Sequence, residues 1–504
     1  MSEVLWDVPK SWEWTNLGNI ADWASGGTPK STEPSFYSGQ IPWLIIGDLN
    51  DGVVSSSSKC ISAQGLQNSS AKVVKKGSIL IAMYGSIGKL GIAGIECTTN
   101  QAIAFTETVH KGIVNEYLFY YLLLVRRQLN ESGKGGAQQN ISQGVLKTFP
   151  VCIPPYPEQQ RIVAKLEELT RRVNKARARL KAFPRLLERF RKSALAAACS
   201  GRLTIDWREQ NPDIESASAL LEEILKARRL KWEETQLETM LANGKAPKDD
   251  KWKGKYIAPV HAETSELDEL PEAWVWGTWN EVSNWVTYGF TRPMPHSPEG
   301  IPIVTAKHVV KRKIVIDVAD KTTEVAFADL SDKDRPEAGD ILITKDGSIG
   351  RAALVETNRA FCINQSVAVV WLRSLTLNKK YLLASIEAPL TQDRILEKAR
   401  GAAIQHLSIT DFAKMPVPIP PKAEQQEIAN RLETLFKTAE ALEARYHKAK
   451  ARVDKLTQSI LAKAFRGELV PQDPNDEPAS LLLERIVTKD PRKRTSVRRR
   501  APNG

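Results

Sequence analysis

Two mixed α/β domains in tandem duplication, joined by long helices that pair as an antiparallel coiled coil with pseudo-two-fold symmetry, are the fold this sequence predicts. Three observations carry the prediction: an ordered internal repeat, short apolar runs closed by glycine turns, and two long apolar stripes at heptad spacing. At 504 residues the chain also exceeds one ordinary domain.

The repeat decides the rest. "VPKSWEW" at residues 8–14 returns as "LPEAWVW" at 270–276, an offset of 262. "KKGSILIAMYGSIGKLGIA" from Lys75 returns as "EAGDILITKDGSIGRAALV" from Glu337. "NQAIAF" at Asn100 is answered by "NQSVAV" at Asn364, and "QQNIS" at Gln138 by "IQHLS" at Ile404. "IPPYPEQQRIVAKLEEL" from Ile153 comes back as "IPPKAEQQEIANRLETL" from Ile419, and "RKSALAAACSGRL" from Arg191 as "TQSILAKAFRGEL" from Thr457. The shared order makes the chain one unit of about 260 residues written twice.

Within each unit the first part alternates strand-like runs and turns. "SILIAM" and "DILITK" read as strands, since β-branched and apolar residues run for about six positions. "YGSIG" and "DGSIG" follow as tight turns where glycine takes positive φ. "QAIAF" and "QSVAVVW" read as buried strands, "NEYLFYYLLLVRRQL" and "NKKYLLASIEAPLTQ" as helices.

The second part of each unit is one long helix. Apolar residues at Ile162, Leu166, Leu169, Val173, Ala176, Leu180, Phe183, Leu187, Phe190, Ala194 and Ala197 alternate steps of four and three, the heptad pattern of a coil seam. The second copy keeps the step at Ile428, Leu432, Leu435, Ala439, Leu442, Tyr446, Ala449, Val453, Leu456 and Ile460. Pro184 is expected to kink the first stripe or start a new helix there, whereas Lys450 stands at the matching place of the second. The bland alternative is a long amphipathic helix lying on a globular core. The predicted domains are therefore 1–154 (α/β), 155–200 (spacer helix), 201–262 (charged, partly helical linker), 263–420 (α/β), 421–466 (spacer helix) and 467–504 (a segment ending in a basic tail).

Composition narrows the function. The net charge is +12, and the tail from Lys489 supplies half of it with seven basic residues and one acidic, which favours an anionic partner, nucleic acid first. No stretch reaches 18 consecutive apolar residues, and the first residues lack a signal pattern, so a cytoplasmic protein with no membrane partner is expected. Five scattered cysteines and six dispersed histidines suggest reduced thiols and no metal site.

Catalytic motifs fail one by one. Ile153-Pro154-Pro155-Tyr156 approaches the Asn/Asp-Pro-Pro-aromatic signature of amino-methyltransferases, but isoleucine has no side-chain carbonyl to accept from a target amino group. Its second copy, Ile419-Pro420-Pro421-Lys422, lacks the aromatic residue. "GSIGKLG" has neither dinucleotide nor P-loop spacing. A nuclease-like set from Asp213 to Asp249 and Lys251 lies in the polar linker rather than on a strand edge. A chain without catalytic residues and without its own cofactor is the expectation. Pro154, Pro155, Glu158, Gln159 and Gln160, with Pro420, Pro421, Glu424, Gln425 and Gln426, read as helix starts, the acid complementing the positive dipole end.

Antiparallel coils would relate the two domains by a pseudo-dyad like that of duplex DNA. A coil of about 40 residues spans roughly 60 Å at 1.5 Å per residue, about 18 base pairs at most.

The run "WEW…SGGTPKS…IPWLIIGDL…GSILIAMYGSIGK…NQAIAF…QQNIS…IPPYPEQQRIVAKLEEL…RFRKSALAAACSGRL", largely repeated, resembles the specificity subunit of type I restriction-modification enzymes over almost the whole chain. The resemblance implies that each α/β domain is a target recognition domain reading one half of an asymmetric bipartite site in double-stranded DNA. It also implies that the helices set the spacing and dock two modification subunits, which use S-adenosylmethionine to methylate adenine N6. Restriction/translocase subunits would bring ATP and Mg. The chain itself would be non-catalytic. One alternative is a scaffold holding two proteins through its coils, with DNA binding secondary. Another is a self-sufficient DNA methyltransferase, which the missing motifs disfavour.

The units diverge most between "SGGTPKSTEPSFYSGQIPWLIIGDLND" and "YGFTRPMPHSPEGIPIVTAKHVVKRK". Candidate DNA contacts there and beside the "GSIG" turns are Lys30, Trp43, Tyr84 and Lys89 in the first domain. In the second they are Arg292, Lys307, His308, Lys311, Arg312, Lys345 and Arg351. Trp43 has a core reading as well.

Overall fold

The computed structural model describes residues 6–132, 140–373, 375–400 and 406–489. The basic tail after Lys489 and the first two residues of each of "QQNIS" and "IQHLS" lie outside the described residues. Two compact units divide the chain, residues 1–181 with 447–504, and residues 182–446.

In the first unit, Ile79–Ala82 pairs antiparallel with both Ile103–Val109 and Leu90–Ala93. Ala21–Ser25 and Val53–Val54 extend this to a five-stranded sheet. A second, four-stranded sheet holds Ile41–Leu44 between Cys60–Ile61 and Cys97–Thr99. A central strand meets protein on both faces, which is why the "ILIA" run is buried at all four positions. Helix Asn115–Ser132 lays Tyr117, Leu118, Tyr121, Leu122, Val125 and Leu129 into the core, the three-four spacing of one helix face.

The second unit repeats this plan. Ile341–Thr344 lies between Val367–Trp371 and Ala352–Leu354, all antiparallel. Helices Lys379–Glu387 and Pro389–Arg400 stand where the first unit has one. In each unit the first strand pairs with the last: Glu13–Asn16 with Pro150–Ile153, and Val275–Thr278 with Pro416–Ile419. Helix tyrosines clamp that last strand, Tyr117 donating to the carbonyl of Cys152 at 2.8 Å and Tyr381 to that of Pro418 at 2.7 Å. The last strand then delivers the chain to its long helix, Tyr156–Cys199 or Lys422–Ala464.

The helix segments within each unit run antiparallel. In the first unit Ile162 and Leu166 share a core with Leu461 and Phe465, while Arg177 reaches Thr457 at 3.1 Å. In the second, Phe183 stacks on Tyr446 with centroids 4.9 Å apart, Arg191 meets Glu443 at 3.0 Å, and Leu195 and Ala198 share a core with Ile428 and Leu432. Helix Tyr156–Cys199 runs through Pro184, so no new helix begins there; the ring sits on the exposed face. The heptad stripe needs one correction. Leu442 (42% exposed), Leu456 (41%) and Phe190 (41%) lie outside the seam, which keeps the expected Phe183 and Tyr446 and adds Thr457. A straight helix turns 3.6 residues rather than 3.5, so a fixed seven-residue stripe drifts off the contact line over several turns.

The linear division into domain and linker does not match the packing. Helix Ala217–Ala242, expected as linker, buries Ala217, Leu220, Leu221 and Ile224 in the second unit's core. Helix Ala479–Lys489 buries Ala479, Leu482 and Ile486 in the first unit's core, at positions 262 later. The amide of Ala217 bonds the carbonyl of Ala273, and that of Ala479 the carbonyl of Ser11. These strap helices are a further part of the repeat. Gly201 and Gly467 route the chain from long helix towards strap at φ +72° and +75°, and a Cβ there would meet Pro271 at 2.5 Å and Pro9 at 2.3 Å. The linker stretch "NGKAPKDDKWKGK" contains a 3-10 helix, Asp250–Lys255, that stacks Trp252 on Trp232.

Candidate nucleic-acid interface

Each domain is fixed to its long helix by the Glu-Gln pair after the double proline. Glu158 and Gln159, like Glu424 and Gln425, are buried. Gln159 accepts from the amide of Val114 at 2.8 Å and donates to the carbonyls of Gly112 and Pro154. Gln425 likewise accepts from the amide of Asn378 at 2.9 Å and donates to the carbonyl of Pro420. The glutamates face the entering strand and the segment leading to the strap. Glu158 accepts from the Trp12 indole at 3.0 Å and from Gln472 at 2.6 Å. Glu424 accepts from the Trp274 indole at 2.7 Å, Thr204 at 2.6 Å and Arg208 at 2.5 Å. Helices do open here, as expected, but these side chains are interior latches as well as helix-start residues. Burial raises the Glu158 carboxyl above its ordinary range, against the bonds from Trp12 and Gln472.

The "GSIG" turns close the central hairpins of both domains. Gly85 and Gly88 sit at φ +64° and +75°, Gly347 and Gly350 at +74° and +82°, so both copies need glycine where a side chain would be strained. Tyr84, at the first turn, is 42% exposed. Lys30 is exposed. Lys89 folds its ammonium back onto the carbonyls of Ile46 and Gly47 at 3.1 and 3.3 Å. Trp43 is not on the surface: it is 5% exposed, donates to the carbonyl of Gly27 at 3.0 Å and packs edge-on to Tyr37. The burying strand Ile41–Leu44 makes it a core residue, which corrects the contact reading.

In the second domain His308 is likewise a correction. It is 2% exposed, and its Nδ1 accepts from the amide of Thr305 at 2.9 Å, closing a 3-10 turn. Burial, then the neighbouring Lys307 charge, lowers its pKa, so the neutral ring this bond needs is favoured. Lys311 and Arg312 occupy a two-residue hairpin between Val309–Val310 and Lys313–Ile314, both at positive φ (48° and 65°). Arg312 pairs with Glu387 at 3.2 Å and covers the Phe436 ring at 4.9 Å, while Lys311 lies 3.5 Å from Glu443. These two residues seat the hairpin on the long helix of their own unit. Arg292 pairs with Asp329 at 2.7 Å and Lys307 with Asp320 at 3.4 Å, both near the surface. Arg351 is exposed beside the turn. Lys345 lies 5.5 Å from the centre of the Tyr288 ring, which Lys333 also approaches, to 5.3 Å. Sequence reasoning missed Tyr288 and Lys333, since no spacing rule brings residues 45 apart onto one ring.

The described helices include none long and apolar enough to cross a membrane. The chain is similar to the specificity subunit of the Escherichia coli type I restriction enzyme EcoBI, 26% identical over 96% of this chain and 93% of that one. It is also similar to the MjaIX specificity subunit of Methanocaldococcus jannaschii, 23% identical over 92% and 94%. Among solved structures, a chain from work on complex assembly of the type I R-M system superposes with a TM-score of 0.61, 19% identity and coverage of 92% and 100%. The HsdS subunit from Thermoanaerobacter tengcongensis superposes at 0.55, with 19% identity over 93% and 100%. The profile of the type I restriction modification DNA specificity domain matches residues 9–182 and 293–451, one stretch in each copy of the repeat, and the chain belongs to this family of DNA-recognition subunits.

Proposed function

We propose that each α/β domain reads one half of an asymmetric, interrupted DNA site, and that the paired long helices hold the halves at a fixed separation. The carrying observation is that both copies keep the same latches, turns and straps, while their presumed reading segments differ. A reader of two unlike half-sites needs a constant frame and variable contacts. The chain acts without catalysis of its own. It works in the cytoplasm, docking two modification subunits that carry S-adenosylmethionine and methylate adenine N6, with restriction/translocase subunits supplying ATP and Mg chemistry. Lys30, Tyr84, Arg292, Lys307, Lys345 and Arg351 are the earlier candidates at or near the surface that best suit DNA contact.

Sequencing of adenine methylation in the host, with and without this gene, tests the reading. One bipartite motif should vanish on deletion; no lost motif rejects it. Exchanging residues 263–420 for those of a relative should change one half of that motif alone. A change in both halves rejects the one-domain, one-half assignment.

A further inference from the structure

Tyr288 ends the strand Trp285–Tyr288, and two lysines from separate elements converge on its ring. Lys333 arrives from a 3-10 turn, Asp332–Asp334, and Lys345 from two residues before the "GSIG" turn. Their ammonium groups stand 5.3 and 5.5 Å from the ring centre, within cation–π range. Each has one carboxylate at the outer edge of ion-pair range and outside hydrogen-bond geometry: Asp334 is 4.0 Å from Lys333, and Asp346 is 3.5 Å from Lys345. Neither ammonium donates a hydrogen bond to another described residue; the side chains of Lys333 and Lys345 are only 34% and 19% exposed. Two partly desolvated cations with their N–H groups unspent form a binding site for anionic oxygens.

Among the described residues, the matching positions of the first domain lack this arrangement. Lys345 bonds its amide to the carbonyl of Ser366 and its carbonyl to the amide of Leu407. Met83, buried, makes the same pair of bonds, to Ala102 and from Ile141, in the first domain. The partner of Tyr288 across the sheet is Ala368, and the matching partner of Ala104 is Ser25. Ala71 stands 262 residues before Lys333. The first domain therefore has a methionine, a serine and an alanine where the second has two cations and an aromatic ring.

We propose that Lys333 and Lys345, held on the Tyr288 ring, bind backbone phosphates of the DNA half-site read by the second domain. This rests on the DNA-recognition reading above and adds which groups fix the second domain's register on the duplex. Both contacts are to phosphate, so they strengthen binding to any sequence alike.

The test uses the full chain assembled with its modification subunits and a mixed-sequence duplex, with affinity measured across a salt series. Each phosphate contact contributes about 0.9 to the slope of log K against log salt, so Lys333→Gln with Lys345→Gln should flatten it by about 1.8. Lys333→Arg with Lys345→Arg should keep the slope, and melting temperatures should show all variants folded. On the specific duplex, phosphate-ethylation interference should lose contacts in one half-site alone. An unchanged slope in a folded Gln variant, or losses spread over both halves, overturns the proposal while leaving the DNA-recognition reading intact. A parent complex that binds no duplex overturns both.

Discussion

The two units close the same latch with different chemistry. In the first, Glu158 is held by two neutral donors, Trp12 and Gln472. In the second, the fully buried Glu424 takes the Trp274 indole, a hydroxyl and the Arg208 guanidinium, which also lies 5.8 Å over the Trp274 ring. Each bonding set draws on both the entering strand and the segment leading to the strap, so the architecture is common and the energetics are not. Removing one member of a buried ion pair strands the other charge, whereas losing a neutral bond strands only dipoles. Glu424→Ala should therefore cost about 3–5 kcal/mol in calorimetric unfolding. Glu158→Ala should cost about 1–3 kcal/mol. Equal losses would mean that the guanidinium finds water once its partner is gone, and the contrast between the latches would collapse.

A second contrast runs along one helix. Leu432 is 3% exposed inside the second unit's core, and Leu442, ten residues on at what a strict heptad would make a seam position, is 42% exposed. Leu432→Ala should lose about 2–5 kcal/mol. Leu442→Ala should change stability by less than about 0.5 kcal/mol. Denaturant midpoints of the two variants decide it; a large loss at Leu442 would restore the unbroken heptad seam.

The third difference lies in the hairpin of Lys311 and Arg312. Burial pushes the Glu387 carboxyl up from 4.5 to about 7, against the pull of Arg312 and Arg191. A group whose folded pKa is raised binds its proton more tightly when folded. Its stabilising effect is full below about 4.5 and is lost as pH rises through about 7. Over that window the second unit should lose up to about 1.4 kcal/mol per pH unit, and Glu387→Gln should abolish the dependence. A pH-independent parent would show that Arg312 keeps Glu387 ionised throughout.

Much of this was legible in the sequence because duplication supplies its own control: a feature present twice at one offset is not chance. The strands around Ile79 and Ile341, the glycine turns and both long helices followed from local pattern alone. The strap helices did not, because "SASALLEEIL" and "EPASLLLERI" lie in charged surroundings and their burial is set by strands more than 40 residues away in one case and more than 450 in the other. The latch was misread in part for a related reason. Glu-Gln after a double proline reads locally as a helix start, and only tertiary packing brings Trp12 or Arg208 to the carboxylate. Surface contacts were least legible, since lysine, tryptophan and histidine carry the same letters whether they reach outward or pack inward.

Trp43 and Lys30 separate those two possibilities within one domain. Trp43 is a core group whose indole bonds the Gly27 carbonyl, so Trp43→Phe should keep the ring packing and lose one buried hydrogen bond, about 1 kcal/mol. Its DNA affinity and salt slope should not move. Lys30 is exposed, so Lys30→Ala should leave unfolding unchanged and, if its ammonium meets a phosphate, flatten the salt slope by about 0.9. The pair forms an exchange of readouts: stability alone for one residue, salt dependence alone for the other. If Trp43→Phe shifts the salt slope, the first domain must open its core to reach DNA, and burial would cease to divide frame from reader.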